Sequence, residues 1–160
     1  MAELDPIAEF REDHRMVRDS ILSISDALDE KDVAKAREIL GNLDAKVGPH
    51  FRYEEEHLYP ALRVFLGEYV DQLLKEHDNA INTAKACAEL LSKDTLEVQE
   101  AEDAKKAAMV ILVHVCNCDG LAILSERFSA DELNDLGDKL AASRKAGVPL
   151  LKWADTIRKK

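Results

Sequence analysis

The sequence predicts an all-α protein: an up-down-up-down antiparallel four-helix bundle over residues 1–128, with an additional C-terminal helical segment, 129–160, packed on it. Three observations predict it. Apolar residues recur at three- and four-residue steps along four successive stretches, which places each set on one helical face. The links between those stretches are short, as antiparallel neighbours require. The composition, 46% hydrophobic and 34% charged but only 5% aromatic, lacks the aromatic and β-branched load of a sheet protein. At 160 residues the chain is long enough to bury a core of its own.

The first stretch runs from Pro6 to Leu28, with Phe10, His14, Val17, Ile21, Ile24 and Leu28 on one face. Asp5 followed by Pro6 is a sound start, an acidic cap with proline in the first turn. The second begins near Asp32 and carries Ile39, Leu43, Val47, His50, Glu54, Ala61 and Phe65 in register. Pro49 and Pro60 each remove a backbone donor and predict local kinks. The apolar register passes through Pro49 unbroken, so one bent helix is expected there. Gly67 separates it from a third helix, with Val70, Leu74, His77, Ile81, Ala84, Ala88 and Leu91 on one face. A polar link, Ser92 to Thr95, leads to a fourth through Ala107, Ile111, His114, Cys118, Leu121, Ser125 and Phe128. Ser129 and Glu132 have capping-box spacing and open a further helix through Leu133, Leu136 and Leu140. Gly147 and Pro149 end it, and an amphipathic tail with Leu150, Trp153 and Ile157 follows.

Charge narrows the function. With 22 basic against 32 acidic residues the net charge is -10, which argues against nucleic acid and against anionic membrane surfaces. The uncharged run around Ala107 to Val113 is read as too short to span a bilayer. No basic, apolar and small-residue series opens the chain, so no secretory signal is expected. Three cysteines, Cys87, Cys116 and Cys118, form an odd set without paired spacing, and a reduced, cytoplasmic setting is expected. Cys116 and Cys118 lie two apart on a helix and face nearly opposite ways, so they neither clamp a metal nor close a disulfide.

The chemistry lies in where the histidines fall. His14, His50, His77 and His114 each occupy the apolar seam of a different helix. Burying four imidazoles without partners costs free energy at each site, and a shared metal removes that cost by giving every ring a ligand bond. Glu54 follows His50 by four residues, so both project from one face about one turn (~6 Å) apart. Such a pair suits a di-metal bundle site, and oxygen ligands mixed with imidazole suit iron or manganese better than copper.

Four segments carry a resemblance: Glu12-Asp13-His14, HFRYEEEHLYPAL from His50, KEHDNAI around His77, and His114 with Asp119. They are similar to the hemerythrin family, including its bacterial domains with paired His-His-Glu half-motifs, and together cover most of residues 6–128. The resemblance implies two iron ions (Fe2+/Fe3+), oxo- or hydroxo- and carboxylate-bridged. It implies ligation by His14, His50, His77 and His114, with Glu54 bridging. Asp119, five residues after His114, has the family spacing of a second bridging carboxylate. It further implies binding of O2 or a related small molecule, for oxygen, iron or redox sensing or for storage. An enzyme acting on hydrogen peroxide or nitric oxide is the alternative, and a metal-free helical interaction module the second. A monomer or weak homodimer is expected.

The departures matter. Typical members have a second histidine four residues after the third-helix one, where this chain has Ile81. Many bacterial members have glutamate four residues after the fourth-helix histidine, where this chain has Cys118. On an ideal helix Cys118 sits ~40° from His114 and Asp119 ~140°, so the cysteine points inward better. The family spacing favours Asp119 as ligand, given a local distortion, with Cys118 beside the metals. His57 lies two turns (~10 Å) beyond His50, a candidate for the other iron. Tyr53 is read as a rim residue.

Overall fold

The computed structural model describes residues 4–158. Helix α1 spans Pro6–Asp29, α2 Val33–Tyr53, α3 Tyr59–Leu66, α4 Tyr69–Leu90 and α5 Val98–Gly120; α6 (Ala122–Ser125), α7 (Ala130–Ala146) and α8 (Leu150–Ile157) follow, with no strand among the described residues. The boundaries follow local chemistry. The Asp5 carboxylate accepts from the Ile7 and Ala8 amides ahead of α1, and Asp32 from Lys35 ahead of α2. Ser129 and Glu132 close the expected capping box, and Gly147, at φ 59°, ends α7 in the left-handed conformation that glycine tolerates. A second capping box, Glu97 with Glu100, starts α5.

The second stretch is one helical run from Val33 to Leu66, as its register implied; it stays α-helical through Pro49, and its irregularity lies just ahead of Pro60. Residues Glu54–Leu58 form a π-turn, closed by the Tyr59 amide donating to the Glu54 carbonyl five residues back. On an ideal α-helix Glu54 and Tyr59 would diverge by ~140°. The wider turn brings both inside, and each is fully buried at 0% exposure.

Helix α1 packs between α2 and α5, and α4 closes the ring against α5 and α2. Phe10, Tyr59, Leu62 and Leu73 form a core at one end. Val17, Ile21, Phe51, Ile81 and Trp153 form the middle, and Ala27, Leu28, Ala36 and Leu91 the other end. Tyr53, expected at the rim, is buried in the first of these. Helices α7 and α8 lie on α2. A Cβ on Gly48 would collide with the Val148 carbonyl and with Pro149, so the missing side chain lets the α7–α8 link run against α2. Nearby, the buried Ser143 hydroxyl donates to the Pro49 carbonyl at 2.7 Å.

The stretch expected to be too short for a bilayer belongs to a longer one. Val98–Ser125, 28 residues, is long and apolar enough to cross a membrane by length and composition alone. The charge-free run extends past Val113 because His114, Cys116, Asn117 and Cys118 add no formal charge. His114, Val115 and Cys118 on this helix face the bundle interior, while Val110, Val113 and Ile123 are exposed.

Candidate metal centre

Each long bundle helix delivers one imidazole to the junction between the end core and the middle core. His14 comes from α1, His50 from α2, His77 from α4 and His114 from α5, all buried. Glu54, the first residue of the π-turn, places its carboxylate among them. Its Oε1 lies 3.1 Å from His50 Nε2 and 3.7 Å from His14 Nε2, and its Oε2 lies 2.9 Å from His77 Nε2. The rings pair on either side: His14 with His50 at 4.9 Å between centroids, His77 with His114 at 5.0 Å.

The outward nitrogens follow one rule. His14 Nδ1 meets Asp119 at 3.1 Å, His50 Nδ1 meets Asp13 at 3.0 Å, His77 Nδ1 meets Glu55 at 2.9 Å, and His114 Nδ1 meets Glu76 at 2.6 Å. A carboxylate only accepts, so each Nδ1 carries a proton and Nε2 is the nitrogen left to turn a lone pair on the centre. That is the arrangement by which proteins fix the tautomer and raise the basicity of metal-ligating histidines. Arginines hold the carboxylates in turn. Arg144 of α7 donates to Asp13 at 2.9 Å, and Arg158, just after α8, to Glu55 at 2.6 Å. Arg11 approaches Asp119 at 3.6 Å.

The interior therefore requires positive charge. The Nε2 atoms of His14, His50 and His77 converge on an anionic carboxylate, and the buried Glu54 Oε2 makes no hydrogen bond despite its closeness to His77. Burial alone would lower the His50 pKa, but Glu54 and Asp13 pull it up to about 10. Burial would raise the Glu54 carboxyl, yet His50, His14 and His77 hold it well below the ordinary carboxylate range. Protons cannot supply the charge at every ring: His114 is pushed down, by burial first and by the neighbouring His77 second. A multivalent cation among the Nε2 atoms satisfies all of them at once, and the donor set of imidazole and carboxylate fits iron or manganese.

The sequence-predicted residues divide. His14, His50, Glu54, His77 and His114 come together. Asp119 does not join them: α5 stays regular through Gly120, so residue 119 points about 140° from His114, toward the rim, and binds His14 from outside with 35% of its side chain exposed. The expected distortion is absent, and Cys118 occupies the inner face. Fully buried, its thiol donates to Glu54 Oε1 at 2.9 Å, and His14, Glu54 and Cys118 each offer a ligand atom within 4.8 Å of the others. His57 lies off the centre, in a half-buried position with Glu56 3.8 Å from its Nε2. Ile81 sits in the apolar wall with Phe51, Ala80 and Val115. Tyr59, unremarked beyond its place in the matching segment, has its hydroxyl 3.1 Å from His77 Nε2 and 3.3 Å from Cys118 Sγ. Burial, then the Glu54 charge, pushes its pKa well up, and Cys118's rises for the same two reasons. Only a π-turn makes Tyr59 an inner residue; Pro60 beside it signals an irregularity but not its kind.

Fold and site together define a helical-bundle metal-binding protein with a histidine–carboxylate centre. A family model, the hemerythrin HHE cation-binding domain, matches residues 5–121. The chain belongs to that family. No curated protein and no solved structure was found to match it. The matched region ends before α7 and α8, the elements that bring Arg144 and Arg158 to the centre.

Proposed function

We propose that this is a non-heme di-iron protein that binds O2 or a related small molecule. The observation carrying the reading is the split of the Glu54 carboxylate: Oε1 faces His14 and His50, and Oε2 faces His77, whose ring pairs with His114. One iron would be held by His14, His50 and Glu54, the other by His77, His114 and Glu54, with Cys118 and Tyr59 adjacent. When bound, iron supplies Lewis acidity and one-electron chemistry toward O2, peroxide or nitric oxide. The protein's share is positioning and exclusion. Outer carboxylates fix the rings, and Phe51, stacked on His77 at 3.9 Å between centroids, and Ile81 keep water from one side.

Anaerobic loading with ferrous iron, then oxygen, tests it. Two irons per chain and ligand-to-metal charge-transfer absorption are expected, both lost in Glu54→Ala. A loaded protein holding well under two irons defeats the reading. A second reading, an enzyme consuming hydrogen peroxide or nitric oxide, is favoured by the Tyr59 hydroxyl and Cys118 thiol, which keep two transferable protons within the centre. Turnover by the loaded protein that falls in Tyr59→Phe without loss of iron would support it.

A further inference from the structure

Beside the centre, a cavity of about 250 Å³ runs lengthwise between α1, α2, α4 and α5. His14, His50 and His114 form one end, and Leu28, Leu91 and Ala104 line the other. From His14 to Leu28 the α1 wall is fourteen residues, or about 21 Å. The space exists because α4 and α5 present alanines where α1 and α2 present Val, Ile and Leu. Ala80, Ala84 and Ala88 recur at one-turn steps on α4, and Ala104 with Ala108 on α5. Larger residues at these positions would close the seam.

The polar groups at its edge are already committed. Arg37 donates through Nε to the Leu91 carbonyl and through Nη2 to the Lys93 carbonyl, tying α2 to the end of α4. Asp44 accepts from the Leu151 amide. Burial pushes the Cys87 thiol up, so it stays neutral. The lining is apolar apart from Arg37 and Asp44, both at its edge, and its inner end is made of imidazoles. An apolar cavity of roughly 150 Å³ already takes up benzene. By that scale this one holds about ten carbons.

We propose that this cavity is a binding site for a neutral, apolar organic molecule of roughly ten carbons, its inner end against His14, His50 and His114. Binding itself needs no metal. The contact with a loaded centre rests on the di-iron reading, and the two are tested apart.

Naphthalene, neutral, fluorescent and of the right size, is the probe, titrated into metal-free protein. Saturable binding is expected, with 1-naphthoate binding about tenfold more weakly or worse, since its carboxylate must leave water for a mostly apolar lining whose cation, Arg37, stands at the edge. Ala84→Leu and Ala88→Leu should each weaken naphthalene about tenfold or more by filling the space, and Ala45→Leu, on the outer face of α2, should leave it unchanged. No saturable binding to the native chain, equal or tighter binding of naphthoate, or undiminished binding by both filled variants overturns the proposal. The naphthalene–naphthoate comparison needs no variant, so it stands even if a filled variant misfolds. With iron loaded, naphthalene should shift the charge-transfer band, and an unshifted band removes the contact with the imidazoles. Failure to take up iron removes the di-iron reading, while the metal-free titration still decides the cavity.

Discussion

Glu76→Gln tests whether the outer carboxylates tune the centre. Glu76 touches His114 Nδ1 at 2.6 Å and has no other hydrogen-bond or ion-pair partner among the described residues, so the change isolates one contact. Glutamine keeps the shape and an acceptor but removes the charge. Loss of such a partner costs about 10–100-fold in metal affinity, or about 1.4–2.7 kcal/mol. Because metal binds the native state, the same amount disappears from the stabilisation that excess metal confers. For 160 residues the unfolding entropy is about 0.3 kcal/mol per degree, so the loaded protein should melt about 4–8 °C lower than loaded wild type.

Calorimetric melting of wild type, Glu76→Gln and Glu12→Gln, each with and without excess ferrous iron under argon, measures it. Glu12 is an exposed carboxylate paired, among the described residues, only with Arg15, and its variant should match wild type. The quantity of interest is the gap between loaded and metal-free midpoints. If that gap in Glu76→Gln equals the wild-type gap, His114 is not held for a metal by Glu76, and the account of the outer carboxylates fails.

Arg144→Ala and Arg158→Ala should each lower iron affinity severalfold, because Asp13 and Glu55 lose the donors that orient them; equilibrium competition with a chelator reads this, and unaltered affinity in both would confine the arginines to packing. Cys118→Ser should retain two irons yet lose any visible band due to thiolate, since metal binding deprotonates a coordinating thiol that burial otherwise keeps neutral; optical spectra of the loaded variant check it, and a persisting band would make the thiol a neighbour only. Gly48→Ala should destabilise by about 2 kcal/mol or more, because the new methyl must push the Val148–Leu150 backbone off α2; a denaturant midpoint unchanged from wild type would contradict that contact.

The bundle was legible because its periodicities are long and agree with their caps. Asp5, Ser129 and Gly147 mark boundaries that the structure keeps. The five buried donors were legible because histidine and glutamate are conspicuous on an apolar seam. The rest required backbone detail that spacing does not carry. Tyr59 turns inward through a π-turn, one residue of extra backbone; Pro60 marks an irregularity there but does not say that it widens the turn. Asp119 and Cys118 show the opposite failure: helix arithmetic placed the cysteine inside, the family spacing argued for the aspartate, and α5 stayed regular. The outer carboxylates Asp13, Glu55 and Glu76 each stand beside other charged residues, Glu12, Glu54 with Glu56, and Lys75, and only the fold shows which member turns toward a ring.

The alanine stripe on α4 raises a question of stability that can be put in numbers. A dry void of 250 Å³ would cost about 6 kcal/mol at ~24 cal/mol per Å³, a large share of the ~5–15 kcal/mol that keeps a domain folded. Ala84, Ala88 and Ile111 are only half-buried, so the cavity opens partly to solvent and the actual cost is lower. The sign is still clear. Ala84→Leu adds three carbons to space that holds none, worth up to ~2.4 kcal/mol by transfer and about half that after packing strain. Metal-free Ala84→Leu should therefore melt about 3–6 °C higher than wild type. A chain that is more stable with its cavity filled keeps the cavity for a reason other than folding, which is the usual relation between a binding site and its scaffold. A lower midpoint would mean that residue 84 faces packed atoms, and the cavity would lose both its physical cost and its claim to a ligand.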